Sequence, residues 1–249
     1  MSEVLGSQPA PPHAEATLEH LRGVGAHNAT ALAEAADALL TCLRADGLVC
    51  TAGAGHSLAG VMESFYRAGG LAAVRPLYRP DLLPLHGAVA STGTERTSGL
   101  AATVLADAEF RGGRDALVVF SNSGVNPYPV ELAVTAAGAG STVIAVTSPA
   151  ASADAPKRAG TTLAEQAHIV LDTRTPGGDA SYPPRDPVTA PLSSLANAYL
   201  WNLLLVRLHD SAQRAGLELP VWRSANTVGG DDANAANLRH YGARVPGLT

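Results

Sequence analysis

The chain is predicted to fold as an α/β protein, a parallel β-sheet covered by helices on both faces. Three observations predict this. Short, continuously apolar runs (Leu48–Ala52, Ala116–Phe120, Thr142–Thr147, His168–Leu171) alternate with stretches of helical periodicity. The runs lack the polar–apolar alternation of a strand with one wet face, so both of their faces are buried. Two glycine- and hydroxyl-rich loops, Gly53-Ala54-Gly55-His56-Ser57 and Ser121-Asn122-Ser123-Gly124, each follow such a run and open into a helical pattern.

The elements follow in order. Residues 1–12 form a Pro- and Ser-containing tail, expected to be disordered. From Ala14 to Leu43, apolar residues recur at helical spacing, with Gly23 and Gly25 as expected break points. After the strand Leu48–Ala52 comes a helix over Leu58–Ala68 and an extended piece near Ala73–Leu77. An irregular segment through Pro84, His86 and Ser91 leads to a helix expected over Glu95–Ala106. The strand Ala116–Phe120 leads through the second loop to a helix over Pro127–Ala137, with proline early in the helix, where it is favoured. Then come the strand Thr142–Thr147, a short helix around Ala151–Ala159 and the strand His168–Leu171. Thr173–Pro187 is rich in Pro, Gly and Asp and reads as a surface loop. A long helix is expected over Val188–Ala215. Residues 216–249 read as a polar C-terminal tail packing at the active site or a subunit interface, which makes 13–215 the main unit. No internal repeat stands out.

Composition narrows the function. The 249 residues carry a net charge of −5, and an acidic balance argues against nucleic acid, whose backbone phosphates call for a basic surface. The longest apolar stretch, Leu192 to Leu208, is interrupted by Ser193, Asn197, Asn202 and Arg207. It reads as a buried or interface helix rather than a membrane span. No secretory leader is visible, so the cytoplasm is the expected location. Cys42 and Cys50 sit in apolar surroundings and read as buried free thiols. The histidines and acids lack metal-ligand spacing, and no cofactor is implied.

Ligands of open parallel sheets bind outside the carboxyl ends of the strands, where both loops lie. Backbone N–H groups and a helix N-terminus there suit an anion, and the hydroxyls of Ser57, Ser121 and Ser123 add neutral donors. Two such loops on one sheet suggest a sugar phosphate. Two other readings of the first loop fit less well. In a dinucleotide fingerprint the third small residue falls at Leu58, and no acid stands at a second strand end. Gly55-His56-Ser57-Leu58-Ala59 matches a nucleophile elbow, and Asp172 or Asp179 with His209 or His240 supplies the chain order of a triad. That fold, however, needs several strands ahead of the elbow, and here only a helix precedes it.

The loop Ser121–Gly124 followed by Asn126-Pro127 and a helix, the strand Val143–Ser148 and the loop Gly53–Ser57 together resemble the sugar isomerase (SIS) domain family over residues 15 to 215. Phe65-Tyr66-Arg67-Ala68-Gly69-Gly70, Glu95-Arg96 and Gly229-Gly230-Asp231 resemble a narrower group of single-SIS-domain proteins. Among members of known chemistry the likeness is to sedoheptulose 7-phosphate isomerase and N-acetylmuramic acid 6-phosphate etherase. The resemblance implies a flavodoxin-like αβα sandwich, a homodimer or homotetramer, and sites near subunit interfaces, which the Val188–Leu208 helix would suit. It implies a phosphorylated sugar or amino sugar as ligand, held by Gly55, Ser57, Ser121, Asn122, Ser123, Gly124 and Asn126.

Members of this family remove the proton next to a sugar carbonyl, which needs a base of matched pKa and an acid for the departing or transferred group. By resemblance to the etherase, Glu95 takes the base role. Glu63, on the helix after the first loop, and His56, within it, are the further catalytic candidates; Glu131, His86 and His240 rank behind them. The sequence departs from the heptose isomerase pattern. Asn197 stands near the position of its catalytic histidine on the late helix, and Tyr66 or Arg67 stands where its glutamate falls. The expectation is therefore a lyase or dehydratase that takes the C2 proton of an amino-hexose 6-phosphate and expels the C3 substituent. Aldose–ketose isomerisation and non-catalytic sugar-phosphate sensing are the alternatives.

Overall fold

The structure, a computed structural model, describes residues 12–248. The expected disordered tail lies outside these residues except for Pro12, which opens a helix. In chain order the elements are α1 (Pro12–His27), α2 (Ala29–Arg44), β1 (Val49–Gly53), α3 (Leu58–Ser64), β2 (Val74–Pro76), α4 (Ala88–Glu95) and α5 (Leu100–Asp107). They continue with β3 (Ala116–Phe120), α6 (Pro127–Gly138), β4 (Val143–Thr147), α7 (Pro149–Ala153), α8 (Leu163–Gln166), β5 (Ile169–Asp172), α9 (Ser193–Arg214) and α10 (Gly230–Tyr241).

The strands form one parallel sheet in the order β2-β1-β3-β4-β5. Every residue of β1, β3 and β4 is buried, as their unbroken apolar sequences require. On one side α2 and α3 pack with α9, and α1 adds to α9 from outside; elsewhere α6 packs with α5 and α8. From β1 the chain steps first to β2 on one side and later to β3 on the other. The order therefore reverses between β1 and β3, and a crevice forms at their carboxyl ends. Both glycine loops leave the sheet there.

Several boundaries differ from the sequence expectation, each for a physical reason. The N-terminal helix breaks at Asn28 and not at its glycines. The Asn28 side chain donates to the Asp172 carbonyl at 2.8 Å and accepts from the Asp172 amide at 2.7 Å, which ties the break to the end of β5. Gly25 stays helical, and a Cβ there would meet the Tyr199 hydroxyl at 3.0 Å, so glycine allows α1 to approach α9 closely. The helix expected over Glu95–Ala106 is two helices, separated by Gly99 at φ +86°. Glu95 thus ends α4 and does not begin a helix. α3 stops at Ser64, whose hydroxyl turns to the Val61 carbonyl at 2.7 Å and to the Thr51 hydroxyl. α9 starts only at Ser193, where the Asp179 carboxylate accepts from the Leu192 and Ser193 amides at 3.0 and 2.8 Å.

The C-terminal segment is not simply a polar tail. Its residues 220–222 pair with the chain ahead of β2, through Ala72 to Pro220, Gly69 to Trp222 and Trp222 to Gly70. α10 follows, and its end is held at Asp46, ahead of β1, by Arg244 and His240. Both thiols are buried and free. Burial pushes Cys42 up to about 11 and Cys50 further still.

Candidate functional site

The site is built on the two strand ends. β1 closes on Gly53, where a Cβ would lie 3.0 Å from the Ser57 carbonyl oxygen and 3.3 Å from that of Phe120. Glycine there lets the loop fold back tightly beside β3. Gly55 takes φ +60°, and Gly55–Ser57 form a single 3-10 turn ahead of α3. Ser57 occupies the N-cap position of α3 without capping it, so its hydroxyl is free among the described residues. His56 is exposed on the same turn.

The second loop begins with the Ser121 amide still bonded to the Val146 carbonyl, which extends the ladder one residue past β3. Ser121 is buried, and its hydroxyl accepts from the Gly124 amide at 3.3 Å. Gly124 sits at φ +56°. The Asn122 amide oxygen accepts from the Thr173 hydroxyl and its carbonyl from the Ser148 amide, so Asn122 ties the loop to β4 and β5. The Ser123 carbonyl accepts from the Ser152 hydroxyl at 2.6 Å, while the Ser123 hydroxyl carries no hydrogen bond among the described residues.

The helix after this loop offers an anion less than its position suggests. α6 has proline at its first and third positions, Pro127 and Pro129, so two amides of its first turn are missing. Asn126 stands at the N-cap but does not cap. Its side chain turns sideways: the amide nitrogen donates to Glu95, and the amide oxygen accepts from Arg158 at 3.0 Å.

Glu95 is half-buried at the end of α4, and its second carboxylate oxygen lies 3.9 Å from where a Cβ on Gly55 would stand. The carboxylate therefore sits between the two loops. Burial raises its pKa; the Asn126 hydrogen bond and the positive charges of Arg96 and Arg158 pull the other way, and burial wins. Glu63 is not part of this group. Its carboxylate pairs with Arg67 and accepts from Asn202 at 3.0 Å, which turns it toward α9. Glu131 accepts from the Gly99 amide at 2.7 Å and fixes the break between α4 and α5.

A family model described as the SIS domain matches residues 13–148, a span that holds both loops, Glu95 and Asn126. The chain belongs to the SIS domain family. Among curated relatives it is 36% identical to the UPF0309 protein SCO4393 of Streptomyces coelicolor over 245 residues, 96% of this chain and 97% of that protein. It is 33% identical to the UPF0309 protein GK1441 of Geobacillus kaustophilus, over 92% of this chain and 93% of that one. Among solved structures, the phosphoheptose isomerase GmhA of Neisseria gonorrhoeae shares the fold with a TM-score of 0.54 at 19% identity, over 80% of this chain and 95% of that one. The sugar isomerase domain of an RpiR transcription factor from Sphaerobacter thermophilus does so with a TM-score of 0.50 at 18% identity, over 95% and 99%.

Two features of this SIS chain are not legible in its sequence. Arg158 lies in the connection between α7 and α8 and reaches the site only through the fold. Asn197 and Trp201, one turn apart on α9, are buried with the Asn197 amide nitrogen and oxygen and the Trp201 ring nitrogen unpartnered among the described residues. Trp201 packs edge-on against Phe120, the residue before Ser121, with ring centroids 6.3 Å apart. Among the described residues no group of three or more potential metal ligands is present, and no helix is long and apolar enough to cross a membrane.

Proposed function

We propose that this SIS chain binds a hexose 6-phosphate with its phosphate on Ser121–Gly124 and removes the sugar's C2 proton with Glu95. The observation that carries the proposal is the setting of Glu95: a half-buried carboxylate between the two loops, with its pKa raised and one oxygen held by Asn126. A raised carboxylate pKa brings a general base closer to working pH. Ser57 and Ser123 supply free hydroxyls for the sugar and its phosphate. To His56, exposed on the first loop, we assign the proton transfer on a sugar oxygen.

The substrate decides the fate of the deprotonated C2 carbon. A 2-acetamido hexose lacks the C2 hydroxyl from which a ketone forms, so loss of the C3 oxygen is the open route. If the substrate is an amino-hexose 6-phosphate, the reaction we assign is therefore elimination. A 2-hydroxy sugar would instead isomerise through the same first step, and the shared fold with a phosphoheptose isomerase favours this second reading.

The test is incubation of the full chain with hexose and 2-acetamido hexose 6-phosphates in deuterated water, followed by mass spectrometry. Loss of water or of the C3 substituent marks elimination. Gain of one deuterium with changed retention marks isomerisation. Glu95→Gln should lower turnover by about 10²–10⁴-fold and stop deuterium incorporation at C2 while binding persists. Normal turnover in that variant removes Glu95 from the mechanism. Binding without any exchange in the wild type leaves a sugar-phosphate sensor.

A further inference from the structure

A dianion in the second loop meets few positive groups. The loop offers neutral hydroxyls and amides, and Pro127 and Pro129 take two N–H groups from the start of α6. The connection from α7 to α8 supplies what is missing. Its near end is tied to the loop by the Ser152 hydroxyl on the Ser123 carbonyl at 2.6 Å. Its far end is tied by the Leu163 amide on the Gly124 carbonyl at 2.7 Å. A Thr162–Glu165 capping box locks that far end, and Lys157 is engaged by Glu165. Arg158 stands in the middle of this strap, exposed and without an ion pair among the described residues, one Nη donating to Asn126.

We propose that Arg158 is the cation that receives the ligand's phosphate, and that its transfer from Asn126 to the phosphate couples binding to the proton on Glu95. This rests on the loop's role as phosphate site proposed above. In the unliganded chain Arg158 donates to the oxygen of the same amide whose nitrogen donates to Glu95. The guanidinium polarises that amide and favours the ionised carboxylate. When the phosphate takes the guanidinium, Asn126 loses its donor and two negative charges arrive nearby. Both changes raise the proton affinity of Glu95, so the base strengthens only when a ligand is in place.

Elements packed on α4 carry other charged or titratable groups. They are Asp81, closed by its partner Arg79, with His86 and, on the first loop, His56; on α6, Glu131 is bound to the Gly99 amide and the buried Tyr128 hydroxyl donates to the Leu77 carbonyl. The charges that bear on Glu95 are those of Arg96 and Arg158.

The test is calorimetric titration of the full chain with inorganic sulfate, a dianion that does not itself titrate near neutral pH, in buffers of different ionisation enthalpy. Sulfate affinity should fall about tenfold or more in Arg158→Gln, as for loss of a charge-assisted hydrogen bond, and recover in part in Arg158→Lys. The wild type should take up protons on binding just above the ordinary carboxylate range. Glu95→Gln should bind sulfate without that uptake, and Arg158→Gln, at saturating sulfate, should show less of it than the wild type. If Ser123→Ala weakens sulfate but Arg158→Gln does not, the Arg158 assignment is wrong and the loop's role stands. Proton uptake that persists in Glu95→Gln overturns the coupling. A wild type that binds no sulfate overturns the phosphate site and this inference together.

Discussion

Gly124→Ala tests the geometry on which the second loop depends. The residue sits at φ +56°, where an alanine costs about 1–2 kcal/mol in backbone strain. The new methyl carbon would stand 2.8 Å from the Thr147 hydroxyl and 3.0 Å from the Leu163 Cβ. Neither neighbour yields easily. Thr147 ends β4 fully buried with its hydroxyl on the Asn122 carbonyl at 3.2 Å, and Leu163 is buried in the core. Overpacking at such a site costs about 1–3 kcal/mol. The two terms give a loss of about 2–5 kcal/mol. At about 2–4 °C per kcal/mol for a chain of this size, Tm falls by roughly 4–20 °C. Urea unfolding followed by circular dichroism measures the free-energy loss, and thermal unfolding the shift in Tm. Gly93→Ala is the control: it lies within α4, has nothing within 4 Å of an added Cβ, and should gain about 0.5–1 kcal/mol. A Gly124→Ala protein within about 0.5 kcal/mol of wild type would refute the loop geometry described above.

Three further outcomes are expected. Glu95 has a folded pKa raised by burial above its ordinary 4.5, so its contribution to stability is full below 4.5 and is lost as pH rises through the folded value. Glu95→Gln should therefore match wild type in Tm at low pH and exceed it near neutrality; the opposite trend would show that the carboxylate is stabilised when charged. Asp115 is buried and accepts from the Leu48 and Arg111 amides, each at 2.9 Å, and from the Arg111 guanidinium. Asp115→Ala should cost about 2–4 kcal/mol in urea unfolding, and a loss under about 1 kcal/mol would mean those donors find other partners. Asn197→Leu removes a buried, unpartnered amide and should leave stability unchanged or raise it by about 1 kcal/mol. A drop of more than about 1 kcal/mol in thermal unfolding would show that this amide is partnered in solution.

The sheet is legible in the sequence because a strand buried on both faces needs an unbroken apolar run. Ala116–Phe120 is β3 to the residue, and β1 differs by one position at each end. Loops that follow such runs must lie at the carboxyl ends, so the position of the crevice can be read as well. Helix boundaries are less legible wherever a distant group sets them. Asn28 breaks the N-terminal helix because Asp172, 144 residues away, takes its side chain. Asp179 starts α9 from the preceding loop. α10 is hidden because its glycines and asparagines read locally as tail. One of them, Asn234, is bracketed by the Arg223 backbone, its side chain bonding both that amide and that carbonyl at 2.9 Å. In the site, the prolines of α6 are plain in the sequence, but their cost in N–H donors emerges only with the loop geometry. Arg158 gives no local signal at all. A lone arginine in a polar connection gains meaning only when both ends of that connection are pinned to the loop beside it.

The pairing of the C-terminal segment with the chain ahead of β2 bears on how the molecule folds. β2 is three residues long and forms the outermost strand, and the chain ahead of it is covered only when residues 220–222 arrive. Arg244 then reaches Asp46 across 198 residues of sequence. Such separations make loop closure expensive and folding slow. During synthesis, a nascent chain that has completed β1 to β5 still has the backbone of residues 69–72 unpaired, with Leu71 lacking its Val221 partner, a place where other chains can mispair. The segment from Pro220 onward supplies those missing partners last, and shortening the chain before Pro220 should lower its soluble yield before it alters the crevice.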